Sequence, residues 1–244
     1  MARPLQVIYE DNHLIIVNKS NGMLVQGDHT GDKPLNEYVK AYIKEKYNKP
    51  GEVWLGTVHR LDRPVSGAVV FGRTSKGAER MSELFRKREI QKVYWAIVAR
   101  RPPTKKGRLV HWLHKDTKKN VVTAYEYEVE HAQKAVLVYR VVGKLNNYYL
   151  LEVEPVTGRS HQIRVQLAAM GCPIKGDIKY GYPKPHRHGK AICLHARRLY
   201  FEHPVKKEKI LCVASLPDDA FWQDFLAIND EKVKPEHLIF RYEA

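Results

Sequence analysis

The stretch His59-Arg60-Leu61-Asp62-Arg63-Pro64-Val65-Ser66-Gly67 sets one carboxylate among three basic side chains and includes a proline and a closing glycine. It lies between two apolar runs, Val53-Trp54-Leu55 and Ala68-Val69-Val70-Phe71. That arrangement predicts a turn between two strands, with Asp62 held in a fixed direction. Arg60 and Arg63, its neighbours in the chain, are expected to keep the carboxylate ionised, because a nearby positive charge favours the charged form. An ionised, pinned carboxylate is a candidate nucleophile. On these residues alone, a structural ion pair is the commoner explanation.

Outward from that turn, composition narrows the classes. The 244 residues allow one large domain or two small ones, and 43% hydrophobic content is enough for a core. Lys and Arg number 42 against 27 Asp and Glu, a formal charge of +15. Such an excess belongs on a surface that meets polyanions. Nucleic acid is the first partner to consider and an anionic membrane the second, although no helical pattern has the long apolar face of a membrane-surface segment. No apolar run is long enough to span a bilayer, and Met1 to Leu5 lacks a signal-peptide core. The chain is therefore expected to work in the cytoplasm, without a membrane. Cys172, Cys193 and Cys212 are odd in number and widely spaced, so buried thiols are expected, not disulfides or a zinc knuckle. Of twelve histidines, only His111 with His114 and His186 with His188 are close pairs. Neither has a further ligand at zinc-site spacing. Surface or RNA-facing histidines, and no metal, are expected.

Along the chain, Val7–Tyr9 and Leu14–Val17 read as strands joined through Asp11-Asn12, and Pro34 to Asn48 as a helix with Leu35, Tyr38, Val39, Tyr42 and Ile43 on its apolar face. Val53–Val58 and Ala68–Gly72 read as strands, the second buried on both faces. Ser75 is expected to cap a helix that buries Ala78, Met81, Leu84 and Phe85 and ends on Arg86-Lys87-Arg88. Gln91–Val98 is a strand, and Arg100 to Arg108 an exposed basic loop able to touch phosphates. Strand patterns return at Leu109–Leu113, Val121–Val129, Ala135–Val142 and Tyr148–Val153. Asp218–Leu226 reads as a short helix packing Phe221, Trp222 and Phe225.

Pro155-Val156-Thr157-Gly158-Arg159-Ser160-His161-Gln162-Ile163-Arg164 is the second informative stretch. Ser160 is the expected N-cap of a helix on which His161 and Arg164, three apart, share a face. By itself this is an amphipathic helix.

Together these segments resemble the RluA-type pseudouridine synthases, which isomerise uridine in RNA. His59 to Gly67 resembles the family's HRLD-x-x-TSG signature, with Val65 where the family usually has Thr. Both are β-branched and similar in size, so the change is expected to touch packing and one hydrogen bond, not chemistry. Tyr9 to Gly22 resembles the family's domain entry, with Lys19-Ser20 in place of Lys-Pro. Gln91–Val98 matches Lys-x-Tyr-x-Ala at Tyr94 and Ala96. Thr157 to Arg164 matches Thr-Gly-Arg-x-His-Gln-Ile-Arg throughout. Gly171-Cys172-Pro173-Ile174-Lys175-Gly176-Asp177 through Gly181 resembles a further block, read as a structural turn and strand near the site. Leu194-His195-Ala196 through Phe201, His203 and Pro204 resembles another.

The resemblance covers roughly residues 7 to 226. It implies one α+β catalytic domain, residues 1–226, around a large, mostly antiparallel mixed sheet with a central cleft. No S4-like module is expected before it, and a tail is expected at 227–244. It implies Asp62 as the catalytic carboxylate, Arg164 as its guanidinium partner, Tyr94 and Ile163 against the target base, and Arg60 in the space an extruded base vacates. It implies structured RNA as partner, ribosomal or transfer, with no cofactor; the chain is expected to be a monomer. Two other readings stay open: a non-catalytic RNA-binding or ribosome-assembly factor on the same scaffold, and a glycoside hydrolase. The latter normally wants a second carboxylate, and neither motif supplies an obvious one.

Overall fold

The computed structural model describes residues 5–228. Its first hairpin joins β1 (Gln6–Glu10) to β2 (Leu14–Lys19). Asp11 makes that turn, because its Oδ1 accepts the backbone N–H groups of His13 and Leu14, both at 2.8 Å. The first helix, α1 (Leu35–Lys46), buries Leu35, Val39 and Ile43 and leaves Tyr38 and Tyr42 half-covered.

The expected strand over 53–58 shrinks to β3 (Gly56–Thr57). Its partner is β4 (Ser66–Gly72). One edge of β4 pairs with β2 along Gly67–Gly72, and β3 reaches the other edge only at Phe71 and Gly72. Trp54 is left 52% exposed. The next helix, α2 (Ser75–Lys87), is capped by Thr74, not Ser75; the Thr74 hydroxyl accepts from Gly77 N–H at 3.1 Å.

β5 (Gln91–Val98), β6 (Lys106–Asp116), β7 (Val121–Tyr125), β8 (Gln133–Leu145) and β9 (Tyr148–Pro155) follow, then α3 (Gln162–Ala169). β7 ends four residues before the expected Val129. β10 (Leu194–Glu202), β11 (Lys209–Val213) and α4 (Ala220–Ile228) complete the described chain. The tail expected from 227 lies outside the described residues, except for the two residues that end α4. Among the described residues no helix is long and apolar enough to cross a membrane.

The strands form one mixed sheet in the order β1-β2-β4-β10-β5-β9-β8-β6-β7, with β3 on β4 and β11 on β10. The domain is α+β, and every pairing but one is antiparallel. The exception is the parallel contact of β10 with β4, where His195 faces Ser66 and Ala196 faces Gly67. Alternation along β2 and β4 assigns the two faces. Ile15, Val17, Val69 and Phe71 point into a core shared with α1, α3 and α4. Leu14, Ile16, Ala68 and Val70 point into a second core that contains Met81 of α2. Both faces are covered, which is why these strands are continuously apolar. All three cysteines are buried and free.

The parallel seam is tight and polar. Gly67 has φ +118°, and a Cβ there would overlap the backbone of Ala196. Ser66 Oγ lies 2.8 Å from His195 Nδ1, and His195 Nε2 lies 3.3 Å from Ala214 O. His195 thus accepts from the hydroxyl and donates to the carbonyl. Burial pushes its imidazole down to about 3.

Gly67→Ala should cost at least about 2 kcal/mol, since positive φ and the backbone overlap act together; a denaturant midpoint at the wild-type value would refute the close approach. The buried His195 also sets a pH dependence. Between its unfolded value of 6.5 and about 3, the unfolded chain binds a proton that the folded chain refuses. Stability should therefore fall as pH drops below 6.5, by up to about 1.4 kcal/mol per pH unit from this residue. Denaturant titrations of wild type and His195→Asn between pH 8 and pH 5 should show a shallower slope in the variant.

Candidate active site

The turn that carries Asp62 is pinned from several directions. Val65 N–H donates to Asp62 O at 3.0 Å, which closes the turn. Leu61 and Val65 drop into the main core at 8% and 3% exposure. Val65 sits among apolar groups, so the methyl in place of a hydroxyl fits its surroundings. From β2, Lys19 is buried and its Nζ donates to the carbonyls of Ser20, Met23 and Arg63, at 2.8 to 3.1 Å. Asn21 donates to Pro64 O at 2.7 Å. Burial lowers the Lys19 ammonium to about 7, against an opposing pull from Asp62. The Asp62 side chain remains 29% exposed.

The charge partner of Asp62 is not its chain neighbour Arg63. That side chain turns outward to pair with Asp32 and to donate to Gly22 O at 3.1 Å. The partner is Arg164, whose Nη1 donates to Asp62 Oδ2 at 2.9 Å. Arg164 is itself 5% exposed, and Asp177 holds it from behind. Its Nε donates to Asp177 Oδ2 at 2.7 Å and its Nη2 to Asp177 Oδ1 at 2.9 Å, a two-pronged pair. Burial alone would lower the guanidinium; the Asp177 and Asp62 carboxylates outweigh it and hold it above its ordinary value. Asp177 belongs to the block read only as a structural turn. That block makes a short 3-10 turn at Ile178–Tyr180 and an isolated bridge from Ile174 to Val98. Its buried Asp after Gly176 was the available signal.

Helix α3 starts differently from expectation. His161, not Ser160, is the N-cap, with φ 50° and ψ 17°, in the left-handed region. Gln162 organises this entry: its Oε1 accepts from Thr157 Oγ1 at 2.7 Å and Arg159 N at 3.0 Å, and its Nε2 donates to Val136 O at 3.0 Å. His161 Nε2 lies 3.9 Å from Asp62 Oδ2, and its Nδ1 lies 2.7 Å from the Tyr180 hydroxyl.

Asp62, Arg164, Tyr94, Ile163 and Arg60 all line one cleft of about 1070 Å³. Tyr94 comes from β5, in register with Ala196, which faces Gly67; the cleft thus lies across the parallel seam. Burial, and then Asp62, push the Tyr94 phenol upward, so it stays protonated at neutral pH. Ile163 is 7% exposed, whereas Arg60 is exposed at the wall. Nine Lys and Arg side chains line the cleft against three Asp, which gives it a net positive lining. Arg86 and Arg88, explained in sequence by the helix C-terminus, are among them. The histidine expectation needs correcting. His111 Nδ1 is 3.0 Å from Gln166 Nε2 on α3, and His186 Nε2 is 2.9 Å from Asp219, so both are structural ties.

A family model described as RNA pseudouridylate synthase matches residues 13–169. The chain is 30% identical over 240 residues to tRNA pseudouridine synthase C of Vibrio cholerae, covering 91% of this chain and 95% of that one. It is 31% identical over 212 residues to ribosomal large subunit pseudouridine synthase C of Rickettsia typhi, covering 86% and 68%. Its fold is similar to the solved structure of human RNA pseudouridylate synthase domain containing 4, with TM-score 0.75 at 26% identity, covering 91% and 92%.

Asp177→Ala should destabilise the fold by about 3 kcal/mol, because it leaves a buried guanidinium half-paired. Equilibrium unfolding of the variant checks this, and an unchanged midpoint would remove Asp177 from the support of the site.

Proposed function

Because the chain belongs to the RNA pseudouridylate synthase family, isomerases that act on RNA, we propose that it converts specific uridines of structured RNA to pseudouridine with Asp62 as the catalytic carboxylate. The observation that carries the assignment is the Asp62–Arg164 contact at the floor of a basic cleft. The reaction breaks the bond between N1 of uracil and C1′ of ribose, turns the base, and joins C5 to C1′. The C5 proton leaves and N1 gains one, so no oxidant and no energy source are needed.

The base must first leave its stack, at a cost of a few kcal/mol. Basic groups along the cleft offset that cost through phosphate contacts. Arg60, exposed and two residues before Asp62 in the chain, occupies the vacated space. Ile163 packs on the extruded uracil, and Tyr94 stacks against it. Asp62 attacks, or promotes glycosidic cleavage, while Arg164 holds it aimed. Tyr94 enters protonated, so its oxygen takes up a proton from the reacting nucleoside only in step with passing its own to the uracil N1 freed by cleavage. Large-subunit ribosomal RNA is the favoured substrate and transfer RNA the second; relatives are named for each. The protein works as a monomer in the cytoplasm.

Pseudouridine mapping of total RNA from wild-type, deletion and Asp62→Asn strains should show the same site or few sites unmodified in both altered strains. Modification that persists in Asp62→Asn but vanishes on deletion would end the assignment of Asp62. If assembly defects appear only on deletion and no site changes, the non-catalytic factor is the correct reading. With the target known, Tyr94→Phe should lower turnover about a hundredfold while RNA affinity stays within about threefold, since stacking survives and the hydroxyl does not.

A further inference from the structure

Asp62 has two oxygens, and the structure treats them differently. Oδ2 accepts from Arg164 Nη1 and also faces His161 Nε2. Oδ1 makes no hydrogen bond among the described residues. We propose that His161, held by Tyr180 in its Nε2–H form, is a second positioning group that with Arg164 fixes Oδ2 and leaves Oδ1 as the oxygen presented to the nucleoside. The inference deepens the proposed function and rests on the role given there to Asp62.

The tautomer follows from hydrogen-bond bookkeeping. The Tyr180 oxygen accepts the N–H of Val122 at 3.0 Å. Its own hydrogen has one acceptor in reach among the described residues, His161 Nδ1 at 2.7 Å. Nδ1 is therefore the acceptor, and in the neutral ring the proton sits on Nε2. A second argument agrees: a bare Nε2 lone pair facing a carboxylate would be repulsive, whereas N–H facing it is attractive. Burial raises the Tyr180 phenol, which keeps that hydroxyl a donor. The Tyr180 ring is fixed in turn by the Arg164 guanidinium, 5.0 Å from its centroid.

The groups that face His161 come from four places: Asp62 in the turn, Arg164 on α3, Tyr180 and Lys179 in the 3-10 turn, and Lys115 on β6. Burial lowers its pKa first; Asp62 opposes, and Arg164, Lys179 and Lys115 add to the lowering. The ring stays neutral at pH 7. At 3.9 Å the Nε2–Oδ2 approach is too long for a hydrogen bond in the RNA-free protein, and such contacts tighten in the substrate complex. The left-handed backbone of His161 is the kind of local strain that surrounding structure must hold in place.

Two measurements on the full-length protein test this. Long-range proton–nitrogen correlation spectra, assigned with His161→Gln, should report the Nε2–H tautomer at pH 7. In single-turnover assays on the mapped RNA, His161→Phe should lower the rate about tenfold with RNA affinity nearly unchanged, and His161→Gln, which keeps an N–H near the Nε2 position, should recover to within about threefold of wild type. An Nδ1–H ring or an imidazolium at pH 7 would overturn the proposal, as would His161→Phe turning over at the wild-type rate. Wild-type protein that forms no pseudouridine would instead overturn the functional reading on which the proposal rests.

Discussion

Arg164 lies between two carboxylates, and most of the site follows from that placement. A guanidinium at 5% exposure needs compensation, because an unpaired buried charge is strongly destabilising. Asp177 supplies it with a two-pronged pair, which leaves Nη1 free to hold Asp62. The direction of the reactive carboxylate is thus set by a residue 102 positions away and stabilised by a third residue in another turn. Neither of the arginines that flank Asp62 in the chain is needed for this. Arg63 instead ties its own turn to Gly22 and Asp32.

The sheet makes that convergence possible. Its single parallel contact joins the hairpin strands β2 and β4 to the long antiparallel run from β10 to β7. Gly67 permits the close approach, and the Ser66–His195 pair supplies a buried polar tie at the same place. Asp62 precedes β4, while Tyr94 lies one strand beyond β10. The parallel contact is therefore what brings these two side chains to one cleft. The same contact adds an acid-sensitive group to the fold, because it buries His195.

Much of this was legible in the chain. Strong periodicity marked α1 and β5 to within a residue or two, and the apolar run of β4 indicated burial on both faces. Motif resemblance brought Asp62, Tyr94, Ile163, Arg164 and Arg60 forward, and they share one cleft. Errors fell where a local signal competed with a tertiary one. Ser75 and Ser160 are good caps by type, yet Thr74 caps α2 through Gly77 N–H, and α3 starts from His161 with the Gln162 side chain organising its entry. The strand at 53–58 had the right composition, but it meets β4 at only two residues. His111 and His186 looked like surface groups because nothing local binds them; Gln166 and Asp219 do so from far along the chain.

By itself the sequence determined the strand-rich class, the basic character, the order of the motifs and the residue types that chemistry requires. Those properties are written in local periodicity, composition and spacing. Only the tertiary structure decided which charge pairs with which. Lys19 in the anchoring of the turn, Asp177 behind Arg164, and His161 beside Asp62 meet across separate elements. Their interactions depend on distance and direction to within an ångström or so, and chain order carries no record of either until the sheet has closed.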